Sequence, residues 1–283
     1  MKKVSVILLC AGEGKRLQSY SSLHPKPLVR IKALGNTPIL QNNLELLLGF
    51  EVNTIFIVRG HLGDLIESFL IENPNFTKYI GDKIKIVDAG LEYKKGPLYS
   101  FLSVYKQNFL NPNEFYLILP GDTLFENQLL KEVFSYIEKV LTPVQNTCVV
   151  FFQKTMLKQF EYLKLSKVIS TIALIENQNS TYVNKFEKLK ISDISENKEF
   201  NLQIPIIALS YDYVKKISLH EKELEATTII EVLNYLLSKE IPITANQIIS
   251  QYHFFDIDRE INLDYIEKLV KKKGNNSKLR KSI

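Results

Sequence analysis

The chain has 283 residues, 45% hydrophobic and 24% charged, enough for a sizeable core in one large α/β domain, and no apolar run approaches the roughly 18 residues that span a bilayer. The formal net charge is +5, but Lys271, Lys272, Lys273, Lys278, Arg280 and Lys281 carry six of the cations with no acid among them. The body is therefore near neutral and no nucleic-acid partner is expected. Cys10 and Cys148 each sit inside an apolar run, form neither a disulfide framework nor a zinc spacing, and read as small buried hydrophobes in a reducing, cytoplasmic setting.

Residues 4–9 are a continuous apolar run, as in a strand buried on both faces. Apolar residues near 3.6 spacing predict a helix over 38–49, with Gly49 as its stop. A strand over 54–58, a helix over 62–71, a strand over 83–87, a helix over 98–107 and a strand over 115–119 follow. A longer helix over 127–140 leads to a strand over 147–152. Strands alternating with helices imply crossovers and a mostly parallel sheet. The second half is less regular. Strands are expected over 168–175, 181–186, 204–209 and 252–257, and helices over 228–238 and 262–272. Residues 188–201, rich in Asn, Ser, Glu and Lys, read as a surface loop. One domain is expected over 1–270, with 271–283 a solvated basic tail.

The first strand runs directly into Ala11-Gly12-Glu13-Gly14-Lys15-Arg16. Glycines let a backbone turn tightly and approach a ligand, successive N–H groups can then converge on an anion, and Arg can fork onto phosphate oxygens. Two familiar phosphate loops fail here on spacing. Walker A needs Ser or Thr where Arg16 stands, and the dinucleotide fingerprint needs glycine at Leu17. That fingerprint also wants an acid closing the second strand, where Arg59-Gly60 stands. A second cation follows in His24-Pro25-Lys26-Pro27, held extended by its prolines.

With Gly12, Gly14, Arg16, Leu17, Pro25 and Lys26 in place, the chain resembles the nucleotidyltransferase superfamily whose signature is Gly-x-Gly-x-Arg-(Met/Leu) followed by Pro-Lys. Its members include sugar-1-phosphate nucleotidylyltransferases and cytidylyltransferases for phosphocholine or inositol phosphate. The resemblance implies an α/β, Rossmann-like, mostly parallel mixed sheet flanked by helices, of the nucleotide-diphospho-sugar-transferase type. It also implies transfer of a nucleotide from an NTP to a small phosphorylated acceptor with release of pyrophosphate. Leu9, Ala11, Gly12, Glu13, Gly14 and Lys15 would bind the nucleotide, Arg16 would contact its phosphates, and Lys26 would neutralise charge at the reacting phosphorus. Lys15 stands where the family usually has Thr. The alternative is a non-catalytic relative that keeps the fold; joint retention of Arg16, Lys26, Asp122 and Asp258 argues against it.

Two further segments carry carboxylates. Leu117-Ile118-Leu119-Pro120-Gly121-Asp122 delivers an Asp at the C-terminal end of a strand, the edge where open α/β sheets bind ligands. Asp256 and Asp258, at i and i+2, share one strand face. By resemblance, Asp122 binds Mg2+ and Asp256-Ile257-Asp258 matches the family's late Asp-x-Asp; one or two carboxylates plus phosphates and waters suit that ion. Tyr93, Gly96, Pro97 and Ser100 occupy the place of the loop that reads base and ribose. Tyr99-Ser100 is similar to the Tyr-Ser helix start of the cytidylyltransferases, which tilts the expectation toward CTP over UTP, GTP or dTTP. Glu187-Lys188 is similar to the Glu-Lys-Pro that holds the acceptor, although Leu189 replaces its proline and Pro205 stands near the usual glycine.

Overall fold

The computed structural model describes residues 3–17, 23–140, 146–177 and 180–274. The part of the predicted basic tail beyond residue 274 lies outside them. Strand β1 (Lys3–Leu9) is followed by helix α1 (Ile39–Leu48), β2 (Ile55–Arg59), α2 (Gly63–Glu72), β3 (Ile84–Asp88) and α3 (Pro97–Lys106). Next come β4 (Glu114–Pro120), the short β5 (Thr123–Phe125), α4 (Asn127–Val140) and β6 (Cys148–Thr155). The second half contributes β7 (Val168–Asn177), β8 (Ser180–Lys190), β9 (Phe200–Ser210), α5 (Tyr211–Leu224), α6 (Ile229–Ser238), β10 (Thr244–Gln247), β11 (Phe254–Asp256) and α7 (Glu260–Gly274).

Nine strands form one sheet in the order β3-β2-β1-β4-β9-β6-β10-β8-β7. The first four are mutually parallel. Strand β9 then runs antiparallel to both β4 and β6, and β7 and β8 form an antiparallel pair. Strand β10 pairs parallel with β6, so the sheet is mixed, with its parallel pairings over the first four strands and at β6–β10. Strands β7 and β8, antiparallel and only two residues apart in sequence, need no crossover helix. Two apolar layers sandwich the sheet. On one face Ile7, Phe56, Tyr116 and Val150 pack against Leu98, Phe101, Tyr213 and Leu233. On the other Val6, Leu8, Leu117 and Phe151 meet Leu40, Leu44, Ile66 and Val133. Strands covered on both faces are largely apolar, which is why β1 is hydrophobic from Val4 to Leu9 save Ser5, whose buried hydroxyl donates to Glu114 at 2.6 Å. Both cysteines are buried and unpaired. No helix among the described residues is long and apolar enough to cross a membrane.

Three details correct the sequence-based elements. Helix α5 was not expected: its Lys and Glu content masks an apolar stripe of Tyr213, Val214 and Ile217, and Ser210 caps its start by accepting from the Tyr213 amide. The predicted loop 188–201 is shorter, because β8 continues to Lys190 and β9 begins at Phe200. Its polar residues tolerate strand conformation by alternating toward solvent. Strand β10, with only Ala245 fully buried among Thr244, Asn246 and Gln247, gave no period-2 signal.

Candidate active site

The strand order reverses at β1, which pairs with β2 on one side and β4 on the other. Loops leaving neighbouring parallel strands in opposite directions open a crevice at their carboxyl ends. A cleft of about 710 Å³ lies there, a size typical of small-molecule sites.

The loop after β1 forms one wall, and every predicted residue from Leu9 to Arg16 lines it. Gly14 is left-handed, with φ 63°, a conformation open to glycine at little cost, and the Leu17 amide closes the turn by donating to the Gly14 carbonyl at 2.8 Å. The loop packs against the end of β4: the Gly121 amide donates to the Leu9 carbonyl at 2.8 Å. A Cβ on Gly121 would lie 2.3 Å from Cys10 Sγ, so close approach of the two chains demands glycine there.

Asp122 enters the cleft from β4. Strand β11 pairs with β5 through Asp256 and Thr123 and brings Asp256 and Asp258 alongside. Lys26 sits between them, 7% exposed. Its Nζ donates to Asp122 Oδ2 at 2.8 Å and to Asp258 Oδ1 at 2.7 Å, while Arg16 Nη1 pairs with Asp258 Oδ2 at 2.5 Å. Burial works against the Lys26 charge, but Asp122, Asp256 and Asp258 outweigh it and hold the ammonium above the ordinary lysine range. Desolvation in the crowded cleft, then Asp122 and Asp258, also push Asp256 up, to about 7, which for a carboxyl favours the neutral form, although part of the residue stays open to solvent. Asn43 on α1 donates to the Thr123 carbonyl at 2.9 Å and steadies the chain beside Asp122.

Among the described residues no group of three or more His, Cys, Asp or Glu side chains is already gathered as a metal cage; the ammonium of Lys26 is what joins Asp122 to Asp258. The donor set nevertheless fits a divalent cation. Three carboxylates face two cations, one of them the largely exposed Arg16, and desolvation first, then this excess of negative charge, keeps Asp256 from ionising in the usual range.

Tyr93, Gly96, Pro97 and Ser100 also line the cleft. Glu13 and Lys15 pair with each other at 2.6 Å. The structure does not bring Glu187 and Lys188 into the cleft lining. Both lie on β8, and Glu187 pairs with Lys185 at 3.5 Å. Lys188 is the register partner of Ser170, which does line the cleft, so it lies on the strand next to the lining. Sequence reasoning missed Tyr162, Ser166, Ser170, Gln203 and Thr228, all of which line the site. Only Thr228 had a local signal, the Thr-x-x-Glu pattern with Glu231. The others are single polar or aromatic residues within ordinary strands and turns.

A small third core underlies these pieces. Leu17 from the first loop, Val29 and Ile31 after Lys26, Leu124 after Asp122, and Phe255 and Ile257 around Asp256 pack together with Tyr162. Four motifs far apart in sequence therefore rest on one apolar floor.

The MobA-like NTP transferase domain family model matches residues 6–179. The bifunctional protein GlmU of Methanococcus maripaludis is 28% identical over 144 residues, which are 50% of this chain and 30% of that protein; the chain thus aligns with under a third of this curated relative. Solved structures share the fold. A UDP-glucose pyrophosphorylase complexed with UDP-glucose superposes with a TM-score of 0.68 at 17% identity, covering 96% of this chain and all of that one. The inositol-1-phosphate CTP transferase of T. maritima gives 0.67 at 18%, covering 96% of each chain. The CTP:phosphocholine cytidylyltransferase of Streptococcus pneumoniae gives 0.62 at 16%, covering 95% of this chain and 99% of that one.

Proposed function

Since this chain belongs to the MobA-like NTP transferase domain family, we propose that it transfers a nucleotidyl group, with Mg2+ as cofactor, from an NTP, CTP first among them, to a small phosphorylated acceptor, releasing pyrophosphate. The observation that carries this reading is the meeting of Arg16, Lys26, Asp122 and Asp258 at one point, two cations bonded to two carboxylates at the mouth of a Gly-rich loop. The same fold serves the UTP- and CTP-using enzymes it resembles, and the choice of CTP rests on the Tyr99-Ser100 helix start.

A phosphomonoester acceptor is largely dianionic at pH 7, with a second pKa of about 6, so its oxygen can attack the α-phosphorus without a protein base. Catalysis then consists of alignment and charge neutralisation. The backbone of the loop through Gly12 and Gly14 would hold the triphosphate. Lys26 and Arg16 would exchange their carboxylate partners for phosphate oxygens; Arg16, with its side chain 72% exposed, gives up little in doing so. Asp122, Asp256 and Asp258 would hold the divalent cation, which when bound neutralises charge on the phosphates and leaving group. The acceptor would occupy the end lined by Tyr162, Ser166, Ser170 and Gln203, with Lys188 at its rim.

The test is a screen of CTP, UTP, GTP and dTTP against phosphocholine, inositol phosphate and hexose 1-phosphates with Mg2+, scored by pyrophosphate release. At least one pair, led by a CTP pair, should turn over in the wild type and fail in Asp122→Ala. Release no greater than that of Asp122→Ala for every pair would sink the proposal.

A further inference from the structure

The segment joining β6 to β7, which lends Tyr162 and Ser166 to the cleft lining, is also fastened to the strand that bears the late carboxylates. It runs through 3-10 turns at Leu157–Gln159 and Glu161–Leu165. Tyr162 on the second turn is 4% exposed. Its ring stands edge-on to Phe255, with centroids 4.9 Å apart and planes at 90°, and lies 5.5 Å from the Tyr265 ring. Its hydroxyl donates to the backbone carbonyl of Asp256. Just beyond the second carboxylate, the guanidinium of Arg259 donates back to the carbonyl of Leu165. Phe160 adds a ring contact to His253 at 4.8 Å.

The two polar ties therefore bracket Asp256 and Asp258, one at the first carboxylate's own backbone and the other at the residue after the second. The sheet does not supply this restraint. Strand β11 is three residues long and pairs with the equally short β5, and Asp258 lies past its end.

We propose that Tyr162 and Arg259 are positioning residues: they clasp the β6–β7 segment onto the strand of Asp256 and Asp258 and hold those carboxylates at the spacing a divalent cation needs. The proposal rests on the reading of Asp122, Asp256 and Asp258 as cation ligands. Outer-layer partners that orient metal ligands characteristically govern affinity by about 10- to 100-fold.

The experiment is a titration of the full chain with Mn2+ alone, free ion being followed by electron paramagnetic resonance, with melting temperature recorded in parallel. Tyr162→Phe keeps the ring and loses the tie; Arg259→Met loses the other. Each should weaken Mn2+ binding by about tenfold or more. A role confined to packing would lower the melting temperature and leave Mn2+ affinity unchanged. Wild-type affinity in Tyr162→Phe overturns the proposal; if that variant does not fold, wild-type affinity in Arg259→Met does so. Equal Mn2+ binding by wild type and Asp122→Ala overturns the ligand reading itself, and the clasp with it.

Discussion

Lys26 stands where structure and the proposed chemistry meet. A lysine buried to this degree without partners would shed its proton; here the carboxylates of Asp122 and Asp258, within 2.8 Å, keep it charged. Under the proposed role, removing the ammonium takes away a positioned donor at the reacting phosphorus, a loss of roughly 2.7–4 kcal/mol. Lys26→Ala should therefore lower turnover by about 10²–10³-fold in a pyrophosphate-release assay under saturating substrates, and near-normal turnover would refute the assignment. Lys26 was legible because Pro25 and Pro27 flank it in a recognisable order. Tyr162 was not, because a tyrosine in a Glu-Tyr-Leu-Lys stretch looks like any half-buried aromatic until the partner strand, 94 residues on, is seen beside it.

At the scale of elements, the start of α6 borders the cleft, where Thr228 is part of the lining. Thr228 caps the helix: its Oγ1 accepts from the Glu231 amide at 3.3 Å, while Glu231 accepts from the Thr227 and Thr228 amides at 2.7 and 3.1 Å. The Thr227 carbonyl in turn receives the Leu98 amide at the first turn of α3, so the cap ties two helices that flank the cleft. Thr228→Ala should cost about 1 kcal/mol of stability, measured by chemical denaturation. Burial opposes the Glu231 charge, but the amide and hydroxyl donors of Thr227 and Thr228 outweigh it and hold the carboxyl below its ordinary range. A depressed folded-state value gives stability that is present above the ordinary carboxylate range and lost as pH falls through the lowered value. Glu231→Gln should accordingly flatten the acid limb of the stability profile.

The molecule as a whole keeps its sheet apolar on both faces and gathers uncompensated charge at one edge. Asp256 has an ordinary value of 3.8 and is carried to about 7 by burial, Asp122 and Asp258. Because the folded-state value is the raised one, the associated stability is whole below the ordinary carboxylate range and is lost as pH rises through about 7. Asp256→Asn should then raise the metal-free melting temperature at pH 8, change it little at pH 4, and abolish any further rise on adding Mg2+. A metal-free melting temperature at pH 8 no higher than that of the wild type would show that the crowding carries no cost. This is the pattern of a site that gives up stability for function.

Sequence by itself determined the parallel half of the sheet, because strands covered on both faces are largely apolar and helices between them must carry one apolar stripe. It also located the loop, the Pro-Lys segment and the carboxylates, whose residue types and order are local properties. The tertiary structure decided how these pieces meet. The pairing of β11 with β5, the burial of Lys26 between carboxylates from two separate segments, and the shared apolar floor under four motifs depend on contacts distant in sequence. The antiparallel half belonged to the structure as well. There β9 carries polar residues at its start and an apolar run toward its end, and what fixes such a strand is its neighbours on either side.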